Sequence, residues 1–239
     1  MKRIMLLSVL ALVGCAHGHV QTTETLATGA LPPPAEVVVT DFVVSPNEVT
    51  LDTSPPAERA AAQQGLSEAA RRAQAAQDAQ QALAEELTAK LQGYGLHTLR
   101  EPASMAQPHG VLVVRGRILS VDQGNKRRRL LLGLGAGKSS VTASTELYYV
   151  NDPGNPELLQ TFAGSADSGQ MPGAAETMGV GAAAGTLATA GATTAATHGS
   201  SVLRGSDEAM NAGHLADALA KQIADYAVAK GWLPASAVQ

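Results

Sequence analysis

The amino terminus places the first constraint on what this chain can fold into. Lys2 and Arg3 precede a short, largely apolar run at residues 4–13, and Gly14 and Cys15 follow it. A basic start, an apolar run and small residues before a cleavage point are the three parts of a secretory signal. The run has about half of the roughly 20 apolar residues that a membrane-spanning helix requires. The sequence therefore predicts that residues 1–14 are a removable leader and that the folded domain begins after it.

Cys15 is the only cysteine of the chain, and it closes this leader. The tetrapeptide Leu12-Val13-Gly14-Cys15 resembles the lipobox of bacterial lipoproteins. That resemblance implies cleavage between Gly14 and Cys15, diacylation of the Cys15 thiol and acylation of the freed amino group. Because Ala16 and not Asp follows, it also implies a lipoprotein of the outer membrane that faces the periplasm. The alternative is an ordinary signal peptide with an unrelated cysteine. In both cases no disulfide is available, and the fold depends on packing alone.

Composition limits the remaining possibilities. The chain has 239 residues and a formal net charge of −4, so no overall basic surplus suggests nucleic acid as a partner. Aromatic residues make up only 3%, which predicts a core built from Val and Leu. We predict a signal peptide at 1–14, a lipidated tether at 15–35, one α/β domain at 36–233 with a Gly/Ala-rich insertion at 173–205, and a tail at 234–239.

Hydrophobic periodicity predicts the elements of that domain. Apolar or alternating runs indicate strands at 36–44, 96–99, 111–121, 141–150 and 157–166, the last two as an antiparallel hairpin. A long helix at 57–92 carries Leu83, Leu87 and Leu91 on one stripe, and a C-terminal helix carries Leu215, Leu219, Ile223 and Tyr226. We predict an α/β (α+β) fold in which a mixed or antiparallel sheet of four to five strands has both helices packed on one face.

The glycine-rich segment 133–139 suggests a phosphate-binding loop but departs from that motif. Gly133 stands one residue too close to Gly137-Lys138-Ser139, and the residues that follow alternate as a strand, whereas a phosphate loop opens a helix. We therefore predict no nucleotide site. The small residues are interpreted as permitting a tight crossing or a bulge between strands.

Seven basic residues are concentrated around this segment within 24 positions. They are Arg115, Arg117, Lys126, Arg127, Arg128, Arg129 and Lys138. One interpretation is a solvated hairpin loop. The other is a patch that contacts anions, either lipid headgroups or an acidic partner.

No pattern in the sequence predicts catalysis, a metal or a cofactor. His97, His109, His198 and His214 lack the spacing of metal ligands, and no Gly-x-Ser-x-Gly elbow occurs. We predict that the protein is not an enzyme. A hydrolase would require the fold to bring His97 or His109 beside a serine and an acid.

The middle of the chain carries a family resemblance. Four parts of this region together resemble the domain of unknown function 4410 family of bacterial lipoproteins. They are Arg115-Gly116-Arg117-Ile118, Arg128-Arg129, the segment 133–139 and the strand at 141–150. The resemblance covers roughly residues 37–232 and is sharpest at 111–165. The order of elements is also similar to the TolB amino-terminal domain and to curli-secretion lipoproteins, at the level of fold only. The family implies no activity and no catalytic residues.

These observations lead to two functional hypotheses. The first is a non-catalytic module, held on the membrane by its N-terminal lipid, that binds an envelope protein or assembles with itself. The alternative is a carrier of a small molecule or lipid in an apolar pocket between the helices and the sheet.

Overall fold

A computed structural model describes residues 18–26, 29, 31–102, 108–132, 135–152, 155–169 and 206–238. The strands in these ranges are β1 (Gly18–Thr25), β2 (Glu36–Thr40), β3 (Val49–Thr50), β4 (Thr98–Glu101), β5 (Val111–Asp122), β6 (Ser140–Asp152) and β7 (Asn155–Asp167). The α-helices are α1 (Pro55–Gln64), α2 (Glu68–Gly93), α3 (Lys126–Leu132) and α4 (Asp207–Ala229). Short 3₁₀ turns occupy Pro46–Glu48 and Ala235–Val238.

The seven strands form one mixed sheet in the order β1-β7-β6-β5-β2-β4, with β3 paired to β5. The half made of β1, β7, β6 and β5 is antiparallel. The half made of β5, β2 and β4 is parallel, and β3 also pairs with β5 in parallel. The predicted α/β class and the mixed sheet are confirmed, but the sheet has more strands than the predicted four to five.

The main core lies between one face of the sheet and the helices α2 and α4. Both predicted helical stripes are buried there, together with inward side chains such as Leu112, Leu147 and Phe162. A smaller cluster of Val38, Val111, Val113 and Val150 lies on the opposite face, with Tyr148 packed against it. The prediction that both long helices pack on one face is confirmed.

The extra strands come from places where the sequence lacks a hydrophobic pattern. Residues 18–25, predicted as part of the tether at 15–35, form the edge strand β1. Val20 is its one buried side chain, so the strand shows no apolar alternation. It is held by pairing with β7, from Gly18 opposite Ala166 to Thr25 opposite Gln160. The strand β3 has only two residues, which is too short for a hydrophobic pattern to predict it.

Two further predictions need correction. The single helix at 57–92 is divided, because Gly65 adopts a left-handed φ of 66° and Ser67 starts α2 by accepting a hydrogen bond from the N–H of Ala70 at 3.2 Å. The basic run at 126–129, which one interpretation placed in a solvated hairpin loop, forms the start of the helix α3 within the connection between the antiparallel strands β5 and β6. The Gly/Ala-rich insertion at 173–205 lies outside the described residues, as do Cys15 and the leader.

Candidate functional site

One end of the sheet gathers most of the features that the sequence singled out. Gly18 of β1 lies opposite Ala166 of β7, Asp167 opposite Ser140 of β6, and Ser140 opposite Asp122 of β5. The chain therefore enters β1, leaves β5, enters β6 and leaves β7 at the same end, which we call the Gly18 end. Helix α3 and the glycine-rich loop lie between β5 and β6, so they belong to this end.

Helix α3 is fixed by hydrogen bonds at its first turn. Asn125 accepts from the N–H of Arg128 through its side chain at 2.9 Å and from the N–H of Arg129 through its carbonyl at 3.0 Å. The carboxylate of Asp52 accepts from the N–H of Lys126 at 3.2 Å. The helix thus depends on a residue 74 positions earlier, which explains why no local pattern revealed it.

The glycines of the following loop allow it to approach this turn closely. Gly137 has a φ of 74°, and its carbonyl accepts from the N–H of Asn125 at 2.9 Å and from Nε of Arg129 at 3.3 Å. A Cβ at Gly137 would lie 2.5 Å from the Asn125 carbonyl. The loop then leads into the strand β6 at Ser140 and not into a helix. The described part of the segment is therefore a tight turn packed against the start of α3, whereas the sequence predicted a crossing or a bulge between strands.

The seven basic residues do not form one patch. Arg115 lies on β5 with its guanidinium 5.5 Å from the ring centre of Tyr148, and Arg117 lies 4.0 Å from Glu48. Burial raises the pKa of Tyr148, as does its hydrogen bond to Glu146 at 2.8 Å, while the Arg115 charge opposes this. Both arginines therefore belong to the sheet surface, away from α3.

Three of the other five basic residues form ion pairs at the Gly18 end. Nη1 of Arg129 lies 3.3 Å and Nζ of Lys126 lies 3.7 Å from Asp207 at the start of α4. The Arg129 side chain is only 11% exposed, so it serves as a structural link between α3 and α4. Nζ of Lys138 lies 2.7 Å from Asp167. Burial acts to raise the pKa of Asp167, but hydrogen bonds from Lys138 and the Gly169 N–H, with the Lys138 charge, lower it overall.

Arg127 and Arg128 remain on the surface of α3. Within the described ranges neither side chain takes part in an ion pair, and both are exposed. Leu131 and Leu132, four residues further along, are 50% and 53% exposed. Because residues four apart share one face of a helix, these four side chains form a single outward surface, which we call the α3 face.

A buried polar cluster behind α3 was not predicted. Asp52 and Glu208 are each only 4% exposed, and Gln123 joins them. The side chain of Gln123 accepts from the N–H of Asp52 at 3.1 Å and donates to Glu208 at 2.8 Å. A cavity of about 350 Å³ borders this cluster and is lined also by α1 and α2. No signal in the sequence could have indicated it, since the three residues lie far apart along the chain.

The described histidines among those named by the sequence are dispersed, and His198 lies outside the described residues. Nδ1 of His97 lies 3.6 Å from Glu36, and His109 contacts the carbonyl of Asn151. His214 lines a shallow cavity beside β1 with His19. In the portion of the chain that the structure describes, no three His, Cys, Asp or Glu residues are placed to hold a metal ion. The same ranges include no helix with the length and hydropathy to cross a bilayer.

Comparison with known proteins adds a family and a distant structural likeness. The family model described as a domain of unknown function (DUF4410) matches residues 37–185. A PelC variant dodecamer from Paraburkholderia phytofirmans is similar at 15% identity and a TM-score of 0.31, covering 64% of this chain and 80% of that one. A second PelC dodecamer from this organism is similar at 14% identity and a TM-score of 0.30, with 64% and 81% covered. No curated protein sequence matches the chain.

Proposed function

Because the chain belongs to the DUF4410 family of domains of unknown function, we propose a role that rests on its own residues: a non-catalytic lipoprotein module of the cell envelope. Acylation at Cys15 holds it on the periplasmic face of the outer membrane. There it binds an envelope partner or assembles with itself.

The tetrapeptide that ends in Cys15 is the observation that carries the proposal. It joins the end of a leader-like segment to the only cysteine of the chain. The fold is compatible with this anchor, because the ordered strand β1 begins at Gly18, three residues further on. An acylated Cys15 therefore lies within about 10 Å of the sheet. The domain therefore lies close to the bilayer and is not separated from it by a tether of twenty residues.

The packing favours a binding module over an internal carrier. The space between the sheet and the helices α2 and α4 is filled by buried side chains, among them Leu83, Leu87 and Leu215. The cavities bordered by His214 or by Asp52 lie at the margins and are lined partly by charged groups. An apolar ligand between helices and sheet would have to displace the core.

Intact-mass analysis of the protein purified from envelopes tests the anchor. We expect a chain that begins at Cys15 and carries one diacylglycerol and one further acyl chain. The Cys15→Ala variant should retain its leader and lack the lipid, whereas the matched control Ala16→Ser should be modified like the native chain. An unmodified Cys15 thiol in the native product would refute the proposal.

Membrane fractionation tests the location separately. The native chain should sediment with the outer membrane. The Ala16→Asp variant should remain acylated but move to the inner membrane, because the residue after the acylated cysteine directs sorting. Acylated native protein in the inner membrane would leave the anchor intact and contradict the outer-membrane assignment.

A further inference from the structure

We infer that the α3 face is a second membrane contact, in which Leu131 and Leu132 enter the interface of a bilayer and Arg127 and Arg128 bind anionic phospholipid headgroups. This inference rests on the proposed acylation of Cys15, since the anchor brings the Gly18 end of the sheet to the membrane. It identifies the surface that faces the bilayer and the chemistry of the lipid that this surface selects.

Helix α3 lies at the same end of the sheet as the strand that follows the anchor. Gly18 starts β1 at the same end of the sheet at which β5 ends in Asp122 and leads to α3. Only β7 and β6 lie between β1 and β5. Three strand spacings of about 4.8 Å place the exit of β5 roughly 14 Å from Gly18 across the sheet.

The attachment of Gly18 to the domain is tight, which makes this relation rigid. Gly18 packs against the backbone of α4 at His214, so closely that a Cβ at position 18 would overlap the His214 carbonyl. The link from Cys15 spans at most about 10 Å. A bilayer that holds the acyl chains of Cys15 is therefore within reach of α3, and the effective concentration of lipid at this helix is high.

The chemistry of the α3 face fits a membrane interface. Arg127 precedes Leu131 by four residues and Arg128 precedes Leu132 by four, so each cation has a leucine beside it. Arg129 occupies the inner side of the helix with Asp207, which turns the other four side chains outward. Basic residues beside exposed leucines on one helical face are typical of segments that lie in the headgroup region of anionic bilayers.

An acidic protein is the competing partner, and two observations favour lipid. Two adjacent leucines that are half exposed add an apolar surface that an acidic protein surface would not match. The α3 face also lies at the anchored end of the sheet, whereas Arg115 and Arg117, which would serve an acidic partner equally well, lie on the sheet surface.

Depth-dependent fluorescence on the acylated, full mature protein tests the inference. Acylation blocks the Cys15 thiol, so Leu131→Cys and Leu132→Cys each supply a single thiol for an environment-sensitive dye. Thr25→Cys is the matched control, because it is exposed on β1 but seven residues from Gly18, about 24 Å further along the strand. The proteins are reconstituted in vesicles of phosphatidylcholine with 30% phosphatidylglycerol, and quenching by nitroxide-labelled lipid is measured.

We expect quenching and a blue shift at positions 131 and 132 and neither at position 25. With the dye at 132, the Arg127→Ala/Arg128→Ala pair should lower the ratio of immersed to free helix about 30-fold, because each basic residue contributes about a fivefold factor near an anionic surface. Omitting phosphatidylglycerol should have a similar effect. Arg115→Ala/Arg117→Ala should change nothing.

Each other outcome contradicts the inference in a distinct way. Dyes at 131 and 132 that stay in water on acylated, vesicle-bound protein would overturn it and leave the anchor intact. Immersion that is independent of phosphatidylglycerol would overturn the selection of anionic lipid. Dyes that respond only when envelope proteins are added would assign the α3 face to a protein partner. Intact mass of the same sample shows separately whether Cys15 is acylated.

Discussion

Replacing Gly116 by Ala tests how β5 packs against the segment that follows β2. Gly116 faces the main core, and the fully buried ring of Phe42 lies directly over it. A Cβ at position 116 would overlap two carbons of that ring and would lie 2.9 Å from the carbonyl of Ser144. The ring cannot swing away freely, because Val43 is bound to β5 on both sides, with its N–H donating to the Gly116 carbonyl at 3.0 Å.

The expected loss of stability follows from this overlap. One extra carbon in a well-packed core costs about 1–3 kcal/mol, and the overlap here places Gly116→Ala near the upper limit, at about 3 kcal/mol. Loss of unfolded-state freedom offsets this by less than about 1 kcal/mol. In a chain of this size the apparent melting temperature should fall by roughly 4–12 °C. Urea denaturation followed by circular dichroism, on the chain from residue 15 with Cys15→Ser, measures the change.

A matched substitution and a double-mutant cycle separate the cause from general effects. Gly213→Ala in α4 should stabilise the protein by about 0.5–1 kcal/mol, because a Cβ there meets only the Glu86 side chain at 4.0 Å. Phe42→Val should remove the overlap, so that Gly116→Ala then costs about 2 kcal/mol less than in the native background. Equal costs in both backgrounds would refute the proposed contact, and a neutral Gly116→Ala would contradict the packing of β5.

Three further outcomes are expected from denaturation curves of the same chain. Arg129→Ala should cost about 2 kcal/mol because the largely buried Asp207 carboxylate loses the nearer of its two cationic partners and keeps only Lys126, whereas Arg127→Ala should stay within about 0.5 kcal/mol; equal effects would show that the two arginines are not divided between structure and surface. Trp232→Ala should cost about 2–3 kcal/mol, and Trp232→Phe should recover at least half of that by keeping the ring contacts; no recovery would contradict a packing role. Lys138→Met should cost less than about 1 kcal/mol at neutral pH, since the pair is partly exposed. The pKa of Asp167 is lowered in the folded state, so its stabilisation is present above the unfolded pKa and is lost as pH falls through the folded pKa. The variant and native curves should therefore converge in acid, and a constant difference would argue against this pair.

The parts of the fold that the sequence predicted are those whose own periodicity is strong. Strand β6 alternates between buried and partly buried residues from Ser140 to Tyr149, and the structure pairs it with β7 as the expected antiparallel hairpin. The stripe from Leu215 to Tyr226 is buried along α4. Trp232 folds back on α4 through its N–H bond to the Ala227 carbonyl at 2.8 Å and through its contact with Tyr226. In each case a local pattern and the tertiary packing require the same conformation.

The parts that were wrong depend on partners distant in sequence. The Thr-rich β1 is a strand because β7, about 140 residues later, supplies its hydrogen bonds. The break between α1 and α2 depends on Gly65, which as an isolated glycine in a helical pattern did not indicate a stop. The short helix α3 is stabilised by Asp52 and by the Gly137 loop, and seven residues could not form a stable helix alone.

The same dependence on distant partners explains why the sequence did not show that the four basic residues have different roles. In sequence, Lys126 to Arg129 form one block of charge, and the two available interpretations treated the block as a unit. The helix divides it, because successive residues are turned by about 100° and Arg129 is drawn inward by Asp207 on α4. Arg127 and Arg128 stay on the outer side of the helix, and each has an exposed leucine four residues later on the same side. A patch of cations thus becomes a small amphipathic surface once the backbone conformation is known, and this surface lies at the end of the sheet where β1 begins.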